Sequence, residues 1–318
     1  MKTLKRVSGL LCLLLILALH ASLSAQETKN LAEKLGYPRE AKLLIIHADD
    51  IGLSHSTNMA VIKALESNSV TSGSLMVPCP WFPEIADYLR NHPGLDIGIH
   101  ATLTSEWKFY KWGGVLPSDQ IPSLLDKNGN FFASTEELGK AGNATEVEKE
   151  LRAQVEKAIA YGIQPTHIDT HMGSVLAKPD FIKAYLKIAR EYHIPMLMPS
   201  IYLGMMPPDI KQMLGPDVVA VDNLFMLEPQ MIKGEWSAPY MAAIAAMKPG
   251  LNEMIVHLSV DNAEMQAITV GHDDYGSAWR QHDLDLVTGD SFKKALADNH
   301  IILVTWRQIR DLINSERK

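Results

Sequence analysis

Strand-like apolar runs alternate with helical patterns along most of this 318-residue sequence. The apolar runs predict these strands: Leu43–Ala48, Gly73–Val77, Asp96–His100, Thr166–Asp169, Met196–Pro199, Val218–Val221, Met254–Leu258 and Ile301–Thr305. Helical periodicity predicts these helices: Ser56–Ser67, Pro83–Asn91, Thr145–Tyr161, Pro179–Tyr192, Ser237–Met247 and Ser291–Asn299. Near-continuous apolar strands joined by helices are typical of a parallel sheet. The number of units favours an α/β fold, a single-domain TIM-like (β/α) barrel that is closed or distorted.

Local signals refine this pattern. Thr145 followed by Glu148 indicates a capping box, and Gly162 just past Tyr161 indicates a helix end. Segments 105–143 and 260–285 interrupt the alternation with aromatic, polar and glycine-rich sequence. Long segments of this kind over a barrel mouth are natural substrate-binding loops, although the aromatic residues could equally serve only to pin the loops down.

The first 25 residues have the pattern of a secretory signal peptide. Lys2, Lys5 and Arg6 precede an apolar run from Leu10 to Leu19, and small residues lead to Ala25. The apolar run is short for a bilayer span, which needs roughly 20 residues. We therefore expect export to the periplasm or the extracellular space, with no stable membrane span after cleavage. A retained N-terminal anchor is the alternative. Residues 26–318 are then one domain.

The amino-acid composition limits the kinds of substrate and partner that this protein can bind. Removing the signal leaves Cys79 as the only cysteine, so no internal disulfide is expected. A net charge of −7, without any basic patch, argues against nucleic acid as a partner. A neutral or cationic substrate fits this charge better than a polyphosphate.

Metal-binding and proton-transfer residues close several of the predicted strands. In (β/α) barrels, the C-terminal strand ends carry the active site. Asp49 and Asp50 follow the first strand, and adjacent carboxylates repel each other unless a cation or a shared proton offsets the repulsion. The pair requires the strand to turn, which Gly52 permits. Helix capping by Asp50 or Ser54 is the structural alternative, but it explains one aspartate only.

The segment from His167 to His171 is the most specific local signal. His167, Asp169 and His171 are spaced by two residues, so their side chains face the same way along a strand. Metal ligation, with a carboxylate orienting a histidine, would account for three such groups facing one interior. A solvent-facing edge strand is the alternative.

Three further positions could join the same site. His100 ends its strand, and Thr102 and Thr104 continue the same polar face. His257 follows an apolar run and could donate a proton or act as a fourth ligand. Arg280 and Asp283, three residues apart on a helical segment, could support a catalytic group or could pair with each other on the surface.

Other hydrolytic and nucleotide-binding motifs are absent from the sequence. We find no Gly-Xaa-Ser-Xaa-Gly elbow, Walker loop, Rossmann glycine pattern or cysteine pair. Histidine and aspartate ligands suit Zn²⁺ best, and Mn²⁺, Co²⁺ or Ni²⁺ as well. Mg²⁺ is a further option. The sequence therefore favours a hydrolase that depends on a divalent metal.

Several of these motifs, in this order, resemble the YdjC-like (ChbG/HpnK) carbohydrate deacetylases. The resemblance is carried by these segments: 48–54 together with Asn58, 98–104, 165–171, and 280–286 before a final strand-like run. It extends from about Leu43 to Leu312. Two departures affect substrate choice: Met172-Gly173 stands where the family often has another histidine, and Ile51 stands where an aromatic residue is common.

The resemblance implies a β/α barrel that removes N-acetyl groups from amino sugars or chito-oligosaccharide-like glycans. It implies Asp50, His100 and His171 as the metal ligands and Asp49 as the general base. His257 would act on the acid side, with Arg280 and Asp283 in support, and the active form could be a homodimer. Two alternatives remain: another metal-dependent hydrolase such as an amidase or phosphoesterase, and a secreted glycan-binding protein without turnover.

Overall fold

The computed structural model describes residues 29–317 of the chain. The predicted signal peptide and the boundary between residues 25 and 26 lie outside the described residues, so both stay predictions. Within residues 29–317, none of the helices combines the length and the apolar character that crossing a membrane demands.

Nine strands of the described residues form one sheet, in which every recorded strand pair is parallel. They are β1 (Lys42–Ile51), β2 (Ser72–Leu75), β3 (Ile97–Ala101), β4 (Ile168–Thr170), β5 (Met196–Pro199), β6 (Val218–Val221), β7 (Asn223–Met226), β8 (Gly250–His257) and β9 (Ile301–Leu303). The order along the sheet is β6-β5-β4-β3-β2-β1-β8-β7, with β9 paired to β1 off this path. All eight predicted strands are therefore confirmed, with ends that differ by up to four residues, and β7 is the one strand of the described residues that was not predicted.

One bent segment brings the two ends of the sheet together. Asp222 alone separates β6, which pairs with β5, from β7, which pairs with β8. The Asp222 backbone N–H donates to Leu251 O at 2.8 Å, and Asp222 Oδ2 accepts from Leu251 N at 2.9 Å. The sheet is thus a nearly closed, distorted barrel, which confirms the predicted α/β single-domain TIM-like fold.

Helices surround this sheet. They are α1 (Leu31–Lys34), α2 (His55–Glu66), α3 (Phe82–Arg90), α4 (Thr135–Ala141), α5 (Ala144–Ala160), α6 (Pro179–Glu191), α7 (Ser200–Met205), α8 (Pro208–Lys211), α9 (Ala238–Ala245), α10 (Ala263–Ile268), α11 (Ser277–Thr288), α12 (Asp290–Asp298) and α13 (Trp306–Glu316). Short 3₁₀ turns lie at Pro122–Leu124, His171–Leu176 and Pro229–Met231. All six predicted helices are present, but the sequence patterns gave no separate prediction for several short helices and for α13.

The predicted capping box at Thr145 and Glu148 is wrong. Asn143 caps α5 instead, because its Oδ1 accepts the Thr145 backbone N–H at 2.8 Å. Glu148 lies one turn inside the helix and pairs with Arg152 at 2.9 Å. The predicted helix end is confirmed, since Gly162 has the positive φ of +87° that follows a helix C-terminus.

Alternation along β1 sorts its side chains between two environments. Leu44, Ile46 and Ala48 pack in the large cluster that includes the surrounding helices. Leu43 and Ile45 belong to a second, smaller apolar cluster, which also contains Leu197, Val219, Val221, Leu251 and Trp306. These residues come from β1, β5, β6, β8 and α13, so the cluster fills the lower part of the barrel interior. Beyond it, towards the C-terminal strand ends, the same face of β1 turns polar.

Candidate metal centre and active site

The carboxyl end of β1 presents two adjacent carboxylates to one cavity. In a regular strand, neighbouring side chains face opposite sides of the sheet, but Asp49 and Asp50 both line the same cavity. Asp50 has a left-handed backbone with φ of +64°, and the register between β1 and β2 shifts between Ala48 and Ile51. The turn that the pair requires is therefore made at Asp50 itself and is continued by Gly52, at φ of +92°.

Three side chains from β1, β3 and the segment after β4 converge on one point. His171 Nδ1 lies 3.3 Å from Asp50 Oδ1 and 3.3 Å from His100 Nε2. His100 Nε2 lies 3.5 Å from Asp50 Oδ1. Donors at about 2.1 Å from a tetrahedral ion are about 3.4 Å apart. These three buried groups could therefore hold a metal ion.

Both histidines also have a carboxylate at the ring nitrogen that faces away from this point. His100 Nδ1 lies 2.7 Å from Asp169 Oδ1, and His171 Nε2 lies 3.0 Å from Glu106 Oε2. Because ionised carboxylates only accept hydrogen bonds, these ring nitrogens are the donors. The lone pairs of His100 Nε2 and His171 Nδ1 are then directed at the point between the three donors. Carboxylate partners of this kind are typical of metal-binding histidines.

Asp50 supplies the negative charge of the donor set. Its Oδ2 accepts a hydrogen bond from Arg280 Nη2 at 2.7 Å, whereas its Oδ1 is buried without a hydrogen-bond partner. Burial alone would raise the pKa of Asp50, but Arg280, His100 and His171 outweigh it and hold the pKa well below its ordinary range. A buried, ionised and unpartnered oxygen needs positive charge close by, so the residues present fit a divalent cation.

Asp49 lies beside the three donors. Its Oδ2 is 3.9 Å from His100 Nε2 and 4.0 Å from His257 Nε2. Its Oδ1 is 3.2 Å from His47 Nε2. The carboxylate lines the cavity, so it can take a proton from a molecule bound there.

The end of β8 is held by a buried aspartate. The His257 backbone N–H donates to Asp283 Oδ2 at 3.1 Å, while Asp283 Oδ1 accepts from Tyr240 Oη at 2.6 Å and from Trp236 Nε1 at 3.1 Å. Burial raises the pKa of Asp283 to about 6. Burial lowers the pKa of His257 to about 4, so its ring is neutral near pH 7.

Arg280 is buried in the wall of the same cavity. Besides the bond to Asp50, its Nε donates to Tyr275 O at 2.8 Å, and its guanidinium lies 5.5 Å from the ring centre of Trp107. Arg280 and Asp283 are each 1% exposed. Pairing of the two on the surface, the alternative considered from the sequence, is therefore wrong.

His167, Asp169 and His171 all face the barrel interior, as their spacing predicts, but they lie at different depths and only Asp169 lies within β4. His171 and Asp169 line the cavity, whereas His167 is buried beneath them and stacks on Trp306 with ring centres 5.2 Å apart. The barrel is tight here, because a Cβ at Gly98 would lie 2.5 Å from the His167 ring. β4 pairs with β3 on one side and β5 on the other, so the edge-strand alternative is wrong.

Thr102 and Thr104 stay outside the donor set. Thr102 Oγ1 donates to His100 O at 2.6 Å, and Thr104 Oγ1 donates to Met172 Sδ at 3.4 Å. The extended polar face predicted after His100 therefore serves local backbone and loop contacts.

The cavity over these groups has a volume of about 850 Å³. Its wall combines aromatic, apolar and acidic side chains, including Glu106, Trp107, Met172, Tyr202, Leu224, Met226, His272, Asp274 and Tyr275. Residues from both segments that interrupt the alternation, 105–143 and 260–285, thus line the cavity, as predicted. Trp112 and Phe131 belong to the buried core instead. These two residues therefore fit the alternative that the aromatic side chains only pin the loops down.

Sequence reasoning assigned no role to several polar side chains at or below the site, although His47 stands in the segment that leads to Asp49 and Asp50. Glu106 lies in a segment without periodicity, so no pattern pointed to it. His47 and Glu253 had a usable signal. Each stands two or four residues before a predicted site residue on the same strand, which places both pairs on one face.

Comparisons with known proteins agree with this geometry. The sequence profile of the family described as YdjC-like protein matches residues 43–298. A carbohydrate deacetylase of Thermus thermophilus is 31% identical over 289 residues, which cover 89% of this chain and 99% of the relative. A carbohydrate deacetylase of Brevibacillus brevis is 36% identical over 159 residues, which cover 50% of this chain and 60% of the relative.

A solved structure has the same architecture. The protein, assigned as a cellobiose-phosphate cleavage protein from Enterococcus faecalis, superposes with a TM-score of 0.70 and 25% identity, covering 85% of this chain and 99% of its own. The profile match spans most of the chain and includes every proposed site residue. The protein therefore belongs to the YdjC-like family.

Proposed function

We propose that this protein is a metal-dependent hydrolase that removes N-acetyl groups from amino sugars or chito-oligosaccharide-like glycans. The observation that carries the proposal is the set of three donor atoms from Asp50, His100 and His171, 3.3 to 3.5 Å apart, with the carboxylate of Asp49 beside it. The names of the carbohydrate deacetylases among its relatives support the choice of substrate.

Asp50, His100 and His171 would hold the divalent ion. A bound ion of this kind lowers the pKa of coordinated water to about 7 and polarises a carbonyl oxygen. Two imidazoles and one carboxylate suit Zn²⁺ best, and Mn²⁺, Co²⁺, Ni²⁺ or Mg²⁺ are further candidates. Asp169 and Glu106 keep the two ligand rings in the required tautomers.

Asp49 acts as the general base on the attacking water. His257 acts on the side of the departing amine, where its neutral ring can accept the proton collected by Asp49, 4.0 Å away, and pass it to the nitrogen. Asp283 fixes the backbone of His257, and Arg280 fixes Asp50 through its 2.7 Å bond. Arg280 and Asp283 are thus positioning residues in this scheme.

The cavity suits a sugar better than a phosphate ester. At about 850 Å³, it lies high in the range of roughly 300–1,000 Å³ that holds drug-sized ligands. Among the lining residues, Arg280 is the sole lysine or arginine, and Asp50 and a backbone carbonyl already engage it. Five carboxylates line the same wall: Asp49, Asp50, Glu106, Asp169 and Asp274. A phosphoesterase on this barrel is therefore disfavoured.

Acetate release tests the proposal. The purified protein is incubated with N-acetylated mono- and oligosaccharides after chelation and after addition of single metals, with Asp50→Asn as the variant that lacks the charged ligand. We expect release that a metal restores in the wild type but not in Asp50→Asn. A wild type that binds metal and releases no acetate from any of these sugars would favour a different scissile bond or binding alone.

We also propose that the protein is exported to the periplasm or the extracellular space, where it would act on external glycans or their fragments. The support is the pattern of residues 1–25. Cell fractionation with N-terminal sequencing of the mature protein tests this proposal and separates cleavage from a retained anchor.

A further inference from the structure

A buried polar layer lies directly below the proposed active site. It contains His47 of β1 and Glu253 of β8, which are 0% and 1% exposed. Neither lines the cavity, so neither can touch a substrate. Glu253 Oε1 lies 3.4 Å from His47 Nδ1 and accepts a hydrogen bond from Trp306 Nε1 at 3.1 Å.

The other ring nitrogen of His47 faces two carboxylates of the site. His47 Nε2 is 2.9 Å from Asp169 Oδ2 and 3.2 Å from Asp49 Oδ1. The hydroxyl of Ser74 lies 3.1 Å from the same nitrogen and donates to Asp169 Oδ2 at 2.8 Å. Because the carboxylates accept hydrogen bonds, Nε2 carries the hydrogen that faces them.

Glu253 favours the same arrangement from the other edge of the ring. As a carboxylate it attracts a proton on Nδ1, and as a carboxylic acid it can donate one to Nδ1. In both states the hydrogen on Nε2 stays directed at Asp49 and Asp169. In catalytic triads, too, a third group orients a histidine by contacting its other ring nitrogen.

Asp49 depends on this contact more than Asp169 does. Asp169 is also held by Ser74 and by His100 Nδ1 at 2.7 Å. Among the described residues, Asp49 Oδ1 has no hydrogen bond of good geometry, and His47 Nε2 is the nearest cationic or ring nitrogen to its carboxylate. Of the nitrogen neighbours recorded for Asp49, His47 Nε2 is therefore the one best placed to set the direction of the base.

We propose that His47, oriented by Glu253, is a positioning residue that aims the base Asp49 at its proton while bracing Asp169. The inference rests on the proposed function, because it assigns Asp49 as the base. A purely structural role would not explain why this layer contains a histidine and a glutamate, since the layer beneath it is apolar and contains Leu43, Ile45 and Leu251. Burying a histidine and a glutamate there is unfavourable unless their polar atoms are used.

Paired substitutions at His47 test the proposal. His47→Gln places an amide donor near the position of Nε2, whereas His47→Asn ends too short to reach Asp49. We expect His47→Asn to lower kcat roughly 10- to 100-fold, the range for groups that orient site residues. KM and the metal content should stay near wild-type values, and His47→Gln should recover most of the lost kcat.

Ser74→Ala is the comparison variant, because it removes a donor to Asp169 and a neighbour of His47 Nε2 while leaving the His47 ring and Asp49 in place. It should weaken metal binding, measured by competition with a chelating dye, more than it lowers the kcat of the metal-saturated protein. Equal kcat values for His47→Asn and His47→Gln, or a loss in His47→Asn that follows its metal content, would overturn the inference. If the wild type itself releases no acetate, the proposed function fails and the inference fails with it.

A measurement on the wild type keeps the proposal testable should His47→Asn not fold. Long-range ¹H–¹⁵N NMR spectra of histidine-labelled, metal-loaded protein report which ring nitrogen carries hydrogen. We expect Nε2 of His47 to be protonated, with a downfield proton signal. An unprotonated Nε2 would overturn the inference.

Discussion

One backbone angle, at Asp50, lets two neighbouring carboxylates serve the same site. With φ of +64°, Asp50 turns into the cavity beside Asp49, where a regular strand would turn it away. Asparagine and aspartate tolerate this conformation better than other residues with a Cβ atom. The proposed division of labour between Asp50 as a metal ligand and Asp49 as a base thus rests on a local departure from strand geometry.

Asp283 offers a sharp test among the supporting residues. Its two oxygens accept hydrogen bonds from three donors: Tyr240 Oη, Trp236 Nε1 and His257 N. In Asp283→Asn, either orientation of the amide sets an NH₂ group against one of these donors. An unsatisfied buried group costs about 1–3 kcal/mol, so we expect a stability loss of that order and a kcat reduced roughly tenfold or more.

Thermal unfolding and steady-state kinetics measure these two effects. Asp285→Asn, on the exposed face of the same helix, is the control and should leave both unchanged. An Asp283→Asn protein with wild-type kcat would show that the position of the His257 backbone does not matter to the reaction.

The sequence predicted the proposed site residues because strand spacing and strand ends are visible in it. Asp49, Asp50, His100, His171 and His257 all end apolar runs, and the barrel brings these ends together. Glu106 could not be predicted, since its approach to His171 depends on the path of a long irregular segment. Ligand and catalytic roles for all these residues stay predictions that the experiments above address.

At the scale of elements, β1 and β8 together carry the polar interior of the barrel. The two strands pair over eight residues, from Lys42 with Gly250 to Asp49 with His257. This register sets His47 beside Ile255 and brings Glu253 within reach of the His47 ring, one level below the carboxyl ends. The strands therefore position both the reacting groups and the layer that supports them.

Stability should depend on pH through Glu253. Burial raises the pKa of Glu253 to about 8, above the value in an unfolded chain. The folded state then binds the proton more tightly, so this contribution to stability is complete below about pH 4.5 and is lost as the pH rises through about 8. Glu253→Gln removes the titration, and the bond from Trp306 can be retained by its amide oxygen.

Denaturant unfolding of wild type and Glu253→Gln at pH 5 and pH 9 measures this effect. We expect the wild type to lose stability relative to the variant over that range, by on the order of a few kcal/mol. A difference between the two proteins that stays constant with pH would contradict a raised pKa for Glu253.

Helices and strands were predicted correctly where the periodic pattern is long. The prediction failed where one residue determines the start of an element. The helices over His55–Glu66 and Pro179–Glu191 were predicted within about one residue of their ends. β7 was missed because Asp222 alone divides it from β6, and its exposed residues lack alternation. The capping residue of α5 was predicted wrongly. Asn143 and Thr145 both have side chains that can cap a helix, and the sequence does not show which of the two lies at the turn where the helix begins.

At the scale of the whole molecule, the barrel closes beneath a wide acidic cavity. Arg280 is the one lysine or arginine among the residues described as lining it, and its Nη2 already donates to Asp50. The proposed export and the predicted homodimer both stay predictions. The charge of the cavity bears directly on substrate choice.

A phosphate on the sugar should therefore impair turnover. We expect kcat/KM for acetate release to be roughly tenfold or more lower for a 6-phosphorylated N-acetylglucosamine oligosaccharide than for the free one, because like charges in the cavity repel. Asp274→Asn removes one exposed carboxylate of the wall and should narrow the difference. Equal turnover of both substrates by the wild type would mean that the acidic wall does not face the sugar.

In the proposed site, Asp50, His100 and His171 hold the metal while Asp49 handles the proton, and Asp49→Asn separates these two roles. The measurement is acetate release by the metal-loaded variant, with the bound metal quantified in the same sample. We predict a metal content equal to that of the wild type, with a rate lower by at least about 10²-fold. Release at the wild-type rate, or a loss of metal that accounts for the whole effect, would contradict the account.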